Sequence, residues 1–302
     1  PSYTPGDRTG DKSTEVYVNR AISSLYDPGS ALAPLTLALA LETRVVRATD
    51  SYDDRGEIAI GTRLIMNEDR DPHGATTMTQ LLARSYNVGV AHLAALLGPT
   101  RFYEGMRNYG FGAKTEIDLA HEASGIMWVP TDSQWNMAYL GMNALGEWIS
   151  TTPLQVATAY GALANGGLLM RPYLVASLVD ETGVTEVSPI TVRRVLSTEV
   201  AQEISDMLVE AVRLEMEDAM VPGYDLAGKF GTVSMPDREG TPNMYNMVSF
   251  VGYGPVPNPR FVILVKFSEP QETMWERQAA APVFARMAQF LLDYYGIPPN
   301  RS

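Results

Sequence analysis

A serine hydroxyl is a poor nucleophile unless something beside it stabilises the charge that its attack creates. The stretch Tyr26-Asp27-Pro28-Gly29-Ser30 offers such a place. Asp27, Pro28 and Gly29 are turn formers, and nearly every residue from Ala31 to Leu41 is apolar. A helix apolar on all sides is buried on all sides. Pro34 fits its first turn, where a missing N–H costs no hydrogen bond. Ser30 is thus presented at the positive end of a buried helix, where free N–H groups and the helix dipole favour developing negative charge. The same position also suits a plain N-cap serine. Two further stretches carry candidate chemistry. Ser85-Tyr86-Asn87 interrupts two helical runs, and Gly228-Lys229-Phe230-Gly231-Thr232 lies in a strand-like run.

The elements that must position these residues follow from periodicity and punctuation. Thr76 to Ala83 reads as a helix with Met78, Leu81 and Leu82 on one face. Beyond the Ser85 break, Val90 to Leu97 and Thr100 to Tyr109 are helical, parted by Gly98-Pro99. Arg44 to Gly74 reads as irregular, with one hairpin, Glu57–Ile60 against Arg63–Met66, turning at Gly61-Thr62. Pro153 to Ala164 is a helix closed by Asn165-Gly166-Gly167. Leu174 to Leu178 reads as a strand and Thr198 to Leu214 as a helix. Three strands follow, Asp225–Ser234, Val248–Tyr253 and Phe261–Phe267. A last helix, Pro282 to Tyr295, shows Val283, Phe284, Met287, Phe290, Leu291 and Tyr294 on one face.

Helices first and a strand meander last is an α+β order, an antiparallel sheet flanked by helices. The expected organisation is a polar arm, 1–14, and one domain, 15–302. Within it lie a helical subdomain, about 43–221, and a sheet subdomain, about 222–302, with the serine helix 30–42 between them.

Composition excludes several functions. A net charge of −12 argues against nucleic acid. There is no cysteine, hence no disulfide, thiolate metal site or cysteine nucleophile. His73, His92 and His121 are not spaced as metal ligands and read as structural or exposed. The acidic group Asp50, Asp53, Asp54 and Glu57 lacks calcium-loop spacing and reads as a solvated loop. No metal and no cofactor is expected. No apolar run reaches the roughly 20 residues of a membrane span.

The three motifs, in order, resemble the penicillin-binding protein transpeptidases, whose signature is S-x-x-K, S-x-N and K-[TS]-G. The flanks strengthen the likeness. Tyr26 to Ser30 is similar to Y-E-P-G-S, and Gly74, Thr77, Leu82 and Ser85 to Gly89 to G-x-x-T…L-x-x-S-x-N-x-G. Tyr109 to Gly112 with Ile117 to Leu119, Thr152 to Gln155 and Ala162 to Gly167 match further stretches of the class B, monofunctional branch. The resemblance runs from about Asn19 to Pro299. It implies that Ser30 attacks the carbonyl of a D-Ala-D-Ala stem peptide of peptidoglycan, or a β-lactam, and passes the acyl group to an amine of a second strand. It implies that Ser85 relays a proton, that Asn87 holds the substrate amide and that Lys229 sets the electrostatics of the groove. The N–H groups of Ser30 and Thr232 would form the oxyanion hole, the Thr232 hydroxyl would take the substrate carboxylate, and Gly231 would join Asn87 and Thr232 among the substrate-binding positions. It also implies the extracytoplasmic face of a bacterial membrane, an anchor and early sheet strands upstream of Pro1, and partners in a cell-wall synthesis complex.

The chain departs from the family at two decisive points. The S-x-x-K lysine is Ala33, and K-T-G reads Lys229-Phe230-Gly231, which substitutes a ring for a hydroxyl. Glu147 and Trp148 also stand where the family often has Q-G. Of the lysines, only Lys229 is expected near Ser30. Two readings follow: a homologue that is weak or silent in catalysis, or a divergent transpeptidase with a substitute base.

Overall fold

Everything in the structure is built around the apolar run that follows Ser30. The structure is a computed structural model, and it describes residues 18–235, 245–268 and 276–301. After a single turn, α1 (Arg20–Ser23), the chain forms a 3-10 turn, Gly29–Leu32, that passes straight into α2 (Ala33–Glu42). Each residue from Ala33 to Leu41 is buried, as its composition requires. The one hydroxyl in that run, Thr36, is satisfied by the carbonyl of Ala144 at 3.2 Å. Glu42 is the first residue able to leave the core, and its carboxylate accepts the N–H and hydroxyl of Ser197, both at 2.8 Å. Ser197 caps a later helix, so the serine helix ends by neutralising the start of another.

Four short strands come next: β1 (Ser51–Asp54), β2 (Glu57–Ile60), β3 (Arg63–Met66) and β4 (Gly74–Thr77). The expected hairpin is β2–β3, with Ile60 opposite Arg63. The stretch around it is more ordered than its punctuation suggests, because β1 pairs antiparallel with β4. Asp54 is not a solvated carboxylate. It is buried and accepts from the Tyr52 hydroxyl at 2.8 Å, the Gly56 N–H at 2.8 Å and the Asn67 amide at 2.9 Å.

Helices α3 (Met78–Arg84) and α4 (Asn87–Asn108) follow, the second kinked at Gly98. Thr77 and Gln80 close a capping box at the start of α3. Then come α5 (Met137–Ala144), which the sequence pattern did not suggest, and α6 (Pro153–Ala164), whose expected bounds match. The region holds four short strands, β5 (Leu168–Met170), β6 (Ser177–Asp180), β7 (Gly183–Glu186) and β8 (Thr191–Arg194), paired β5–β8 and β6–β7, and the strand expected over Leu174–Leu178 overlaps them only at the start of β6. Residues 174–176 belong to none of them.

Helix α7 (Thr198–Glu215) leads to the sheet of β9 (Ala227–Met235), β10 (Tyr245–Gly254) and β11 (Phe261–Ser268), a meander in the order β11-β10-β9. Among the described residues no strand pairs with the far edge of β11. The Pro1–Thr14 arm lies outside the described residues. Helix α8 (Glu276–Tyr294) covers one face of this sheet, and the face expected is borne out at Phe284, with Val283 and Leu291 packed against the core, but not at its other large side chains. Ala280, Ala281, Phe284, Ala288 and Leu292 are buried, whereas Met287, Phe290 and Tyr294 point outward. Gly252 of β10 explains the choice: a Cβ there would lie 2.7 Å from the Phe284 ring, so helix and sheet approach through small residues. No described helix is long and apolar enough to cross a membrane.

The Asp54 hub makes a stability prediction. Asp54→Ala leaves a buried hydroxyl, an amide and an N–H without their acceptor, and should cost about 2–4 kcal/mol of unfolding free energy. Asp53→Ala next door removes only an exposed pair with Arg55 and should cost less than about 0.5 kcal/mol. Denaturant titration of both variants checks this, and equal losses would contradict the role of Asp54.

Candidate active site

Close backbone packing puts Ser30 where it is. Gly29 has φ +58°, and its N–H donates to the Gly146 carbonyl at 2.9 Å. A Cβ on Gly29 would lie 2.5 Å from the carbonyl oxygen of Thr232, and one on Gly231 would collide with the carbonyl of Pro28. Glycine at these positions lets the serine turn touch β9. Upstream, Tyr26 and Thr151 exchange backbone hydrogen bonds at 2.9 and 2.8 Å. The Asp27 carboxylate accepts the Trp148 N–H at 2.8 Å and the Ser150 hydroxyl at 3.3 Å, while its burial pushes its pKa up. Downstream, the Tyr160 hydroxyl donates to the Ala31 carbonyl at 2.7 Å. Ser30 is half-buried and lies inside the 3-10 turn. The N-cap position belongs to Pro28, which makes no side-chain cap, so Ser30 is not the N-cap serine.

Lys229 of β9 is 0% exposed, and its ammonium donates to the hydroxyl of Ser85. A buried charge must be met by protein groups. Ser85 meets it from the C-cap of α3 in the left-handed region, φ +57°. Tyr86 is the N-cap of α4, so Ser85 and Asn87 flank the junction of two helices, the break the sequence suggests. The Asn87 amide donates to the Met66 carbonyl at 3.2 Å. The structure therefore brings Ser85 and Lys229 together, and sets Ser30 beside Gly231 and Thr232 through their backbones.

The two departures have different physical consequences. Ala33 is 1% exposed, begins α2 and donates its N–H to the Ser30 carbonyl. Its neighbours Leu32 and Leu35 are fully buried, so the wall behind the serine is apolar. Phe230 is 4% exposed and packs edge-on against Phe250, ring centroids 5.2 Å apart. It pairs with Phe250 across the ladder, on the opposite face of β9 from Lys229 and Gly231. The ring is core packing.

Three features near the serine turn were missed or undervalued. Lys266, opposite Ser249 in the sheet, sits with its ammonium 5.1 Å over the ring of Tyr26, four residues before Ser30. Burial, with a lesser contribution from Arg20, lowers its pKa. Glu147 follows the Gly146 contact, and burial first, then Asp27, raises its pKa. Trp148 is exposed, with the Arg63 guanidinium 5.8 Å from its ring centroid and Tyr139 edge-on at 5.3 Å. The register of the sheet and the turn from Gly146 onward place these groups, and neither is local in sequence. Among the described residues no cluster of three or more His, Asp or Glu could hold a metal ion.

With this geometry in hand, comparison with known proteins is informative. Residues 1–289 match the family model for the penicillin binding protein transpeptidase domain. Stage V sporulation protein D of Bacillus subtilis is 30% identical over 309 residues, covering 100% of this chain and 47% of that protein. Peptidoglycan D,D-transpeptidase FtsI of Escherichia coli K12 is 28% identical, covering 99% of this chain and 49% of its own length. The chain thus spans about half the length of these curated relatives. Among solved structures, penicillin binding protein 3 of Mycobacterium tuberculosis, complexed with aztreonam, superposes with a TM-score of 0.85 at 28% identity over 97% of this chain and 67% of that one. The apo transpeptidase domain of Burkholderia pseudomallei penicillin-binding protein 3 gives 0.82 at 26% identity over 94% and 84%. Motif order, fold and family match agree: this chain belongs to the penicillin-binding protein transpeptidase domains, of the class B type.

Proposed function

We propose that this domain binds the D-Ala-D-Ala end of a peptidoglycan stem peptide, or a β-lactam, in the groove between Ser30, Ser85 and β9, and that it acylates there slowly or not at all. The observation that carries this reading is the buried, apolar position of Ala33, one turn along from Ser30. In the family reaction the serine oxygen bonds to the carbonyl carbon and the amide bond to the terminal D-Ala breaks. The serine proton passes to the leaving amine, and a second amine then displaces the serine. Each proton transfer needs a positioned base, and losing one typically costs about 10²–10⁴ in rate. At Ala33 no amine can serve. The groove's other parts support binding: Ser85 and Lys229 are joined, Asn87 is tied to Met66, and Thr232 lies against Gly29 beside Ser30. In this reading the Thr232 and Ser30 N–H groups hold the oxyanion. The protein acts at the extracytoplasmic face, where peptidoglycan is made, and serves a cell-wall synthesis complex chiefly by binding.

The divergent-enzyme reading is favoured by one observation, the surviving contact of Lys229 with Ser85, which leaves an amine in the groove. Intact-mass spectrometry after incubation with benzylpenicillin separates the two. The wild type should acylate about 10²–10⁴ times more slowly than a lysine-bearing relative. Ala33→Lys should speed acylation at least about tenfold, and Ser30→Ala should abolish it. Wild-type acylation at the relative's rate would overturn the proposal.

Restoring the third motif should not help. Phe230→Thr opens a cavity against Phe250 and should lower stability by about 2–4 kcal/mol. Thermal denaturation measures that loss. A stable Phe230→Thr variant with faster acylation than wild type would show that the ring does obstruct the groove.

A further inference from the structure

The Ser85-Tyr86-Asn87 segment is held from outside by the strands that precede it. Met66 takes the Asn87 amide, and the Asn67 side-chain oxygen takes the Val88 N–H at 3.1 Å. Asn67 is itself fixed by the buried Asp54. The middle residue, Tyr86, is held by a ring: the His73 imidazole stacks on it with centroids 4.1 Å apart and planes 20° apart. His73 is pinned in turn. Its backbone N–H donates to the Asp54 carbonyl at 3.1 Å, and its Nε2 lies 3.0 Å from a carboxylate oxygen of Asp69 without making a hydrogen bond to it.

We propose that His73 is a positioning residue of the site, and that its ring, held in place through its backbone N–H on the Asp54 carbonyl, fixes Tyr86 and thereby the backbone of Ser85 and Asn87 on either side. The need for such a hold lies in Ser85. A non-glycine residue in the left-handed region costs about 1–2 kcal/mol, and it stays there only where surrounding contacts over-determine it. Ser85 must stay there for its hydroxyl to meet the buried Lys229. Without the stacked ring, the strain is relieved by letting the tripeptide relax, and the Ser85 hydroxyl leaves the ammonium. The other charged groups near Tyr86 are Arg84, which pairs with Glu215 at 2.9 Å, together with Asp69 and Asp54. None of these replaces the face-on contact. This inference concerns the shape of the groove and stands whether or not Ser30 is acylated.

Hydrogen–deuterium exchange of the whole chain tests it, read on the amides of Ser85 to Val88. His73→Ala should speed their exchange by about tenfold or more. His73→Phe, which keeps a stacking ring, should remain within about twofold of wild type. His73→Leu, close in volume but without a ring, should behave as Ala does, and it carries the test if the alanine variant fails to fold. Exchange in His73→Leu equal to wild type, or in His73→Phe equal to His73→Leu, would overturn the role of the ring.

Discussion

An ammonium group taken out of water has to be met by protein, and in this fold Lys229 imposes that demand. It is fully buried on β9, and the Ser85 hydroxyl meets it from the helical side of the molecule. One contact therefore ties the sheet to the junction of α3 and α4. The strain of Ser85, the Tyr86 stack and the anchoring of Asn87 on Met66 all lie on the helical side of that contact. On the sheet side, Gly231 brings β9 against the serine turn. Removing the ammonium would leave the Ser85 hydroxyl without that donor and free both sides of the contact at once.

The serine turn is fixed independently of that lysine. Its position comes from backbone approaches at Gly29 and Gly231, from the Tyr26–Thr151 pairing and from Asp27. Such a turn survives the loss of a side chain behind it. That explains how Ala33 can replace a lysine without disturbing Ser30: α2 is apolar throughout, and one more apolar residue continues its packing. Phe230 follows the same logic on the other face of β9, where its ring joins Phe250 and, through it, Phe284. Both Ala33 and Phe230 are buried residues that pack as core.

Much of this was legible in the sequence because the decisive signals are local. Turn formers before Ser30, the Asn165-Gly166-Gly167 stop of α6 and the three strand runs of the last sheet each report on a few neighbouring residues. What escaped depends on distant partners. The pairing of β1 with β4 joins segments more than 20 residues apart, and it turns Asp54 from an apparent surface acid into a buried hub. Helix α5 lacks an amphipathic pattern because nearly all of it is buried. In α8 the large aromatics suggested the core face, but among them only Phe284, whose ring packs on Gly252, is buried, between Ala280, Ala281 and Ala288. Lys266 reaches Tyr26 only through sheet register.

The central claim is that the groove keeps its shape and its charge-stabilising groups while lacking a base for Ser30. A peptide boronic acid ending in a D-alanine analogue tests this directly. It forms a tetrahedral adduct on a serine oxygen and draws on the oxyanion donors with little need of a general base. Calorimetric titration should show reversible binding that depends on Ser30 and falls within about tenfold of a lysine-bearing relative. An absence of Ser30-dependent binding in a folded protein would contradict the account.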